Sequence, residues 1–241
     1  MLNEETIKSA ARIISQADCM VVLTGAGMSV DSGVNDFRSR SGWWRQIDPR
    51  TVATVEALER NYELFHAFYK ARIEQLEHVH PHPGHGALKK WEQAGMLQLI
   101  ATQNVDGLHQ RAGNNQVEEL HGSILSYRCH HCGKDADKQQ FLLGHRCSCG
   151  GRLRPNVVLF GETLPQNAWQ RSLEAIDAAD VVLVIGTSLE VYPVSQLPAM
   201  TKGKTILINK EPVGSNHSFD LVVMGKAADA LTAIDSWVNI E

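Results

Sequence analysis

Hydrophobic positions along this chain follow two periods that alternate with each other. Short apolar runs lie at Cys19-Met20-Val21-Val22-Leu23, 97–101, 157–160, 180–185, 204–209 and 221–223, each bounded by polar residues or glycine. Runs of that length, rich in β-branched residues, predict strands buried on both faces. Between them the apolar residues recur at three- and four-residue steps. Ile7, Ala11 and Ile14 predict a helix over 4–16, and Val55, Leu58, Tyr62, Phe65, Phe68, Tyr69, Ile73 and Leu76 predict one long helix over 54–78. Further helices are expected over 87–93, 166–178 and 227–238. The stretch 39–53, broken by Gly42 and Pro49, reads as irregular, and HVHPHPGHG at 78–86 as a loop.

Strands alternating with helices predict an α/β fold, a Rossmann-like doubly wound parallel sheet covered on both faces. The interval between the first and second strands is about twice that of an ordinary βαβ unit of ~30 residues. It therefore carries an insertion that must pack beside the sheet. Ser126 to Gly151, rich in cysteine, glycine and charge, reads as a separate small module. The expected division is a Rossmann-like domain from 1–38, 86–123 and 155–241. A smaller zinc-binding and helical domain would come from the two insertions, 39–85 and 124–154.

The 241 residues are 43% hydrophobic, ample for a sizeable core, and the net charge of −4 argues against a general nucleic-acid or membrane binder. No apolar run approaches the ~20 residues of a membrane helix, and the first fifteen residues lack a signal-peptide core. A cytoplasmic protein is expected. Four of the five cysteines fall between 129 and 149, as Cys129-x-x-Cys132 and Cys147-x-Cys149. That clustering predicts a closed, structural four-thiolate zinc site in a reducing compartment, with His130, His131 and His145 near enough to substitute for a ligand. Cys19, opening a buried strand, reads as core. His78, His80, His82 and His85 form a second group, but Pro81 and Pro83 hold the chain extended and no metal is assigned there.

The polar motifs that could carry chemistry all follow strands, where ligands sit in parallel sheets. After the first strand, Gly25-Ala26-Gly27 turns the backbone, and Ser29 is placed to cap or open a helix. Such a turn lets main-chain N–H groups approach a pyrophosphate at a helix N-terminus. The third glycine of a dinucleotide fingerprint is absent, with Val30 in its place, so a tight turn without a ligand remains an open alternative. Asp36-Phe37-Arg38 then brings an acid, an aromatic ring and a guanidinium directly after this small-residue loop.

GAGMS with GVNDFR, then TQNVDGLH, Glu119-Leu120-His121-Gly122, RPNVVLFGE and GTSLEVYP fall in one order from about residue 19 to 209. In that order the chain resembles the sirtuins, the NAD-dependent protein-lysine deacylases; Asn35 stands where that family usually has proline. The resemblance implies NAD as the consumed dinucleotide and His121 as general base. In the implied reaction the acyl oxygen attacks ribose C1′ and nicotinamide leaves. His121 then activates the 2′-hydroxyl through the 3′-hydroxyl, and the products are free lysine and 2′-O-acyl-ADP-ribose. It implies that Asn104 and Asp106 serve catalysis by holding the ribose and the carboxamide or a water. Gln103 would join them, Val105 would line the nicotinamide pocket and Asp36 would bind the carboxamide. Phe37 would shield the reacting carbon and Arg38 would meet the phosphates. Gly25, Ala26, Gly27, Ser29, Gly186, Thr187 and Ser188 would cradle phosphate and ribose. Asn209 would meet the adenosine ribose, and Lys226-Ala227 the adenine. An acyl-lysine protein segment would lie as an added strand against Val158, Phe160, Gly161 and Glu162 on one side and Leu189 to Val191 on the other.

Tyr69 and Arg72, three residues apart on the expected helix, share a face. With the small Ala53 upstream, they are similar to the sirtuin subgroup that removes succinyl and malonyl groups, where the pair binds the distal carboxylate. On pattern alone, Tyr69 reads as core and Arg72 as solvated. Two other functions stay open: mono-ADP-ribosyl transfer to protein, and a module that binds NAD or ADP-ribose without turnover.

Overall fold

The computed structural model describes residues 2–34, 49–214 and 218–238, with positions 49 and 50 described for their backbone alone. Its main sheet has six strands, all parallel, in the order β3 (Val117–Glu119), β2 (Leu97–Thr102), β1 (Met20–Thr24), β7 (Val181–Ile185), β8 (Lys204–Asn209), β9 (Leu221–Met224). Every residue of β1 and β7 is buried, as unbroken apolar runs require. The two-residue pleat sorts their side chains onto two faces. Met20, Val22, Leu183 and Ile185 pack with α1 (Glu4–Ser15), α6 (Pro83–Gln93) and α10 (Ala227–Asp235). Val21, Leu23, Val182 and Val184 pack with Ile176 of α9 (Gln166–Ala178) and with the 3-10 turn Val194–Ala199. Each fully buried Val, Leu or Ile contributes roughly 1.5–3 kcal/mol.

A second, antiparallel sheet runs β5 (Asp135–Ala136), β4 (Gly122–Cys129), β6 (Leu153–Val157). It shares an apolar core with the first insertion, in which Phe65, Phe68, Tyr69, Ile73 and Leu76 meet Tyr127, Phe141, Leu153, Val157 and Leu159. Polar bonds reinforce the join. Tyr62 Oη donates to the Leu153 carbonyl at 2.7 Å, and His66 Nε2 lies 2.6 Å from the Phe141 carbonyl, to which it must donate.

Several expected elements differ from those observed. The single helix over 54–78 is two, α4 (Val55–Arg60) and α5 (Tyr62–Leu76), preceded by α3 (Pro49–Val52). Asn61 (φ −137°, ψ 57°) breaks it, and Arg152 Nη1 donates to the freed carbonyls of Leu58 and Glu59 at 2.7 and 2.8 Å. Those carbonyls have no helical partner, so the guanidinium substitutes for one. Helix α6 starts at Pro83 rather than 87, because His82 caps it and proline suits the first helical position. The run 157–160 is not a strand of the main sheet. β6 ends at Val157, and Phe160 forms an isolated bridge to Thr54. The closing helix stops at Asp235 instead of 238. β3 escaped the apolar pattern because two of its three residues are glutamate, and β4 because adjacent exposed Leu125 and Ser126 and a register shift break its alternation. Among the described residues, no helix is long and apolar enough to cross a membrane.

Candidate active site and metal centre

The chain leaves the middle of the main sheet in opposite directions from β1 and β7, and ligands of doubly wound folds sit at such a switch point. There the two loops touch backbone to backbone. Gly25 N–H donates to the Ile185 carbonyl at 2.9 Å and Gly27 N–H to the Gly186 carbonyl at 2.7 Å. Gly186 has φ 62°, and a Cβ on it would lie 2.3 Å from the Met28 nitrogen. A Cβ on Gly27 would lie 2.7 Å from the Gly186 Cα. Both glycines are therefore fixed by this approach whether or not a phosphate binds. The helix that follows, α2 (Gly27–Val30), is one turn long. Ser29 does not cap it, because the hydroxyl is turned the other way, into the site.

That hydroxyl donates to Asp106 Oδ2 at 2.6 Å and accepts from Asn104 Nδ2 at 3.0 Å. Asn104 Nδ2 also reaches the Gly25 carbonyl at 3.0 Å, and Asp106 Oδ1 accepts the Leu108 N–H at 3.0 Å. Burial raises the Asp106 carboxyl above its usual range, against the pull of the Ser29 and Leu108 hydrogen bonds and of Arg72 and Arg111. Gln103 Nε2 donates to Thr187 Oγ1 at 3.0 Å, and Asn209 Nδ2 reaches the Thr187 carbonyl at 3.3 Å. The loops after β1, β2, β7 and β8 are thus one hydrogen-bonded unit. Ser188, half-buried, belongs to the same turn.

His121 stands at the other rim. Its Nδ1 lies 3.1 Å from the Gln103 carbonyl, an obligate acceptor, so Nδ1 carries the proton and Nε2 presents a lone pair. Burial lowers its pKa from the usual 6.5, partly offset by that hydrogen bond. The next residue, Gly122, has φ 71°, and a Cβ on it would lie 2.0 Å from the Asn156 carbonyl oxygen. Glycine at this position lets β4 pair with β6 immediately beside the histidine.

Between the two sheets lies an extended edge. Val158 N–H donates to the His121 carbonyl at 2.8 Å, and Phe160 N–H to the Ala53 carbonyl at 2.9 Å, so this edge adjoins both His121 and the first insertion. Phe160 and Val191 are exposed apolar side chains, 50% and 41% accessible, and Gly161 has φ 93°. Leu189, in the turn after β7, is held at φ 53°, an uncommon conformation for a residue with a Cβ. Glu162 is turned inward: the buried Arg154 donates to both its oxygens, at 2.6 and 2.8 Å, and Leu159 N–H adds a bond of 2.8 Å. Ala53 and Tyr69 are buried in the same apolar cluster, which Val105 adjoins. Tyr69 packs on Phe65 and Phe68 at centroid distances of 4.7 and 5.0 Å, and Arg72 Cζ lies 5.4 Å over the Phe68 ring. Burial pushes the Tyr69 phenol up to about 12, and pulls Arg72 below its usual value while Tyr69 and Asp106 hold it charged.

Lys226 and Ala227 open α10, where Lys226 Nζ lies 3.7 Å from Asp31. Asp36, Phe37, Arg38 and Asn35 lie outside the described residues. Thr24, Thr102, His109 and Arg154, to which the sequence assigned no role, are buried and hydrogen-bonded around the site. For the first two the available signal was a hydroxyl residue ending each of two apolar strands that lead into polar loops.

The sulfurs of Cys129, Cys132, Cys147 and Cys149 all lie within 4.8 Å of one another, with 3.5 Å between Cys129 and Cys149 and 3.6 Å between Cys132 and Cys147. Tetrahedral zinc with Zn–S near ~2.3 Å needs sulfurs about 3.8 Å apart, so the four thiolates fit the ion. The N–H groups of His131 and Cys132 point at the Cys129 sulfur, at 3.3 and 3.5 Å. His130 is instead 3.5 Å from Glu59.

The chain is similar to known proteins in family, in sequence and in structure. The Sir2 family model matches residues 25–193. The chain is 48% identical over 208 residues to a Geobacillus kaustophilus protein named NAD-dependent protein deacetylase 1, covering 84% of this chain and 86% of that one. It is 42% identical to NAD-dependent protein deacylase 2 of Pyrobaculum aerophilum, covering 92% of each. Among solved structures, a Sir2 homologue–NAD complex superposes with a TM-score of 0.90 at 34% identity over 95% of this chain and 93% of that one. A Sir2–p53 peptide–NAD+ complex superposes at 0.87 with 30% identity, over 95% and 97%.

Proposed function

The chain belongs to the Sir2 family, and on that premise we propose that it is an NAD-dependent protein-lysine deacylase. The observation that carries the reading to this chain's own residues is His121. Its Nδ1 is committed to the Gln103 carbonyl, which leaves a lone pair on Nε2, and Gln103 leads directly into Asn104 of the linked Asn104–Ser29–Asp106 unit.

NAD and an acyl-lysine segment are the substrates. Gly25, Ala26, Gly27, Gly186, Thr187 and Ser188 would receive the dinucleotide, with Asn209 and Lys226-Ala227 toward its adenosine end. Asn104 and Asp106 would position the nicotinamide ribose. The acyl oxygen displaces nicotinamide at C1′, and His121 Nε2 takes the proton released when the ribose hydroxyl attacks the acyl carbon. Water completes the reaction, and lysine, nicotinamide and 2′-O-acyl-ADP-ribose leave. Burial suits this, since a base of lowered pKa is already neutral near pH 7. The acyl-lysine backbone would add as a strand between the 158–161 edge and 189–191, with Glu162 shaping that edge through Arg154. We also place the division between the two domains at the insertions, 39–85 and 124–154, which share one core. Four clustered thiols suit a reducing compartment, and we assign the enzyme to the cytoplasm.

The test is product analysis by mass spectrometry after incubation with NAD and an acetyl-lysine peptide. Free peptide, nicotinamide and O-acetyl-ADP-ribose in equal amounts are expected. ADP-ribose on the peptide would move the assignment to transferase, and binding without nicotinamide release would make the protein a sensing module.

The finer reading is that acidic acyl groups are also removed. Support comes from a half-buried guanidinium beside Tyr69 at the end of the cluster holding Ala53, a strong, directional partner for a carboxylate. Arg72→Met is expected to lower kcat/KM on succinyl-lysine at least ~10-fold more than on acetyl-lysine, mainly through KM. Equal losses on both peptides, or no succinyl activity in the native enzyme, would remove this reading.

A further inference from the structure

Behind Asn104 lies a second set of polar side chains that the reaction above does not use. Thr24, Thr102, His109 and His85 are all buried; the first three are joined by hydrogen bonds, whereas neither ring nitrogen of His85 has a partner among the described residues. Asn104 N–H donates to Thr102 Oγ1 at 3.0 Å. Thr24 Oγ1 lies 2.8 Å from Thr102 Oγ1, and His109 Nε2 lies 3.0 Å from Thr24 Oγ1. Proton bookkeeping gives the chain a direction. His109 Nδ1 has no hydrogen-bond partner among the described residues. A proton there would be a buried donor without an acceptor, so the proton belongs on Nε2. His109 then donates to Thr24, Thr24 to Thr102, and Thr102 accepts from the Asn104 backbone as well.

We propose that Thr102, Thr24 and His109 are positioning residues that fix the backbone of Asn104, and through it the aim of the Asn104 amide, for the nicotinamide-ribose step. The relay spans two strands and a helix: Thr24 ends β1, Thr102 ends β2, and His109 lies in α7 (Leu108–Ala112), just past Asp106. It therefore clamps both ends of the 103–108 loop to the sheet. With its backbone held, the Asn104 amide reaches the Gly25 carbonyl and Ser29 Oγ, both at 3.0 Å. A row of tilted histidine rings backs the clamp. The His85 centroid is 5.0 Å from that of His109 and 4.2 Å from that of His82, whose Nδ1 accepts from Gly84 N–H and whose Nε2 donates to the Met28 carbonyl at 2.7 Å. Met28 precedes Ser29, so this row of rings returns to the loop that Asn104 contacts. Burial pushes His109 down to about 3 and His85 to about 2, which keeps both rings neutral and the donor direction fixed at neutral pH.

This inference rests on the deacylase reading of Asn104, and the experiment separates the two. Nicotinamide release from NAD with an acetyl-lysine peptide is measured for Thr102→Val, Thr102→Ser, His109→Leu and His109→Gln. Rates are expressed per ADP-ribose-binding site counted by calorimetry, which removes any misfolded fraction. Thr102→Val keeps the shape and loses the hydroxyl, so kcat is expected to fall about 10- to 100-fold, with the peptide KM within about twofold. Thr102→Ser is expected to recover most of that loss. His109→Gln, whose amide can place a donor near the Nε2 position, is expected to exceed His109→Leu by at least about fivefold. Equal rates per site for Thr102→Val and the native enzyme would overturn the proposal. So would Thr102→Val and Thr102→Ser falling together, or His109→Gln matching His109→Leu should neither Thr102 variant bind ADP-ribose. A native enzyme that releases no nicotinamide would instead overturn the deacylase reading itself.

Discussion

One carbonyl decides the tautomer of His121. Because Gln103 O can only accept, the imidazole proton is held on Nδ1 and Nε2 is left basic. Burial moves this group's pKa below 6.5. The acid limb of kcat/KM for the free enzyme is therefore expected to have its midpoint below pH 6.5, with activity lost as His121 protonates. A pH–rate profile with an acid-limb midpoint above 6.5 would contradict that environment. At this scale the sequence was informative where a motif was polar and contiguous. Through the resemblance to sirtuins, TQNVD and the His121-Gly122 pair singled out Gln103, Asn104, Asp106 and His121, which the fold places on neighbouring loops. It was silent where a role depends on what a side chain meets across the fold. Ser29 suggested a helix cap and instead bonds Asp106, 77 residues away. Glu162 suggested a peptide contact, yet both its oxygens are occupied by Arg154.

Elements were legible in proportion to how strictly their burial follows a period. β1 and β7, buried throughout, matched their apolar runs to within a residue, whereas β4 carries exposed Leu125 and Ser126 and a register shift, and showed no pattern. The break at Asn61 was hidden because apolar spacing continues across it, and the compensation by Arg152 comes from 91 residues further along. Two expectations belong to elements. Gly122→Ala forces a Cβ against the Asn156 carbonyl at a left-handed position, so the join of β4 and β6 must give way. It is expected to destabilise by more than ~1 kcal/mol and to depress activity through the adjacent His121, as thermal melting and turnover would record. Unchanged melting would mean that this join is loose. The thiol cluster is expected to hold about one zinc per chain, and chelation or Cys129→Ser to lower the melting temperature and disturb the core shared with α5. Metal analysis well below one zinc per chain would refute the site.

At the scale of the whole molecule, the alternation of strand and helix disclosed the α/β class, and the long first interval disclosed an insertion. The carboxyl ends of β1 and β7 meet at the switch point, as the ligand rule for such sheets expects. Burying neutral histidines beside that point has a consequence for stability. Burial pushes His85 down to about 2 and His109 down to about 3, against an ordinary 6.5 for the unfolded chain. Below pH 6.5 the unfolded chain binds protons that the folded one refuses, so this stability is complete above pH 6.5 and falls as pH drops toward 3. Each contributes a slope near ~1.4 kcal/mol per pH unit, so the unfolding free energy is expected to fall by about 2–3 kcal/mol between pH 6 and 5. Urea titrations at those two pH values read it directly, and a flat profile would show that the rings accept protons in the fold. The central claim is that His121 acts as base after nicotinamide has left, and its most direct test is to follow two activities of His121→Ala on an acetyl-lysine peptide. Exchange of labelled nicotinamide into NAD should persist, while formation of free lysine peptide should fall about 10²–10⁴-fold. Equal loss of exchange and deacylation, or deacylation at the native rate, would contradict it.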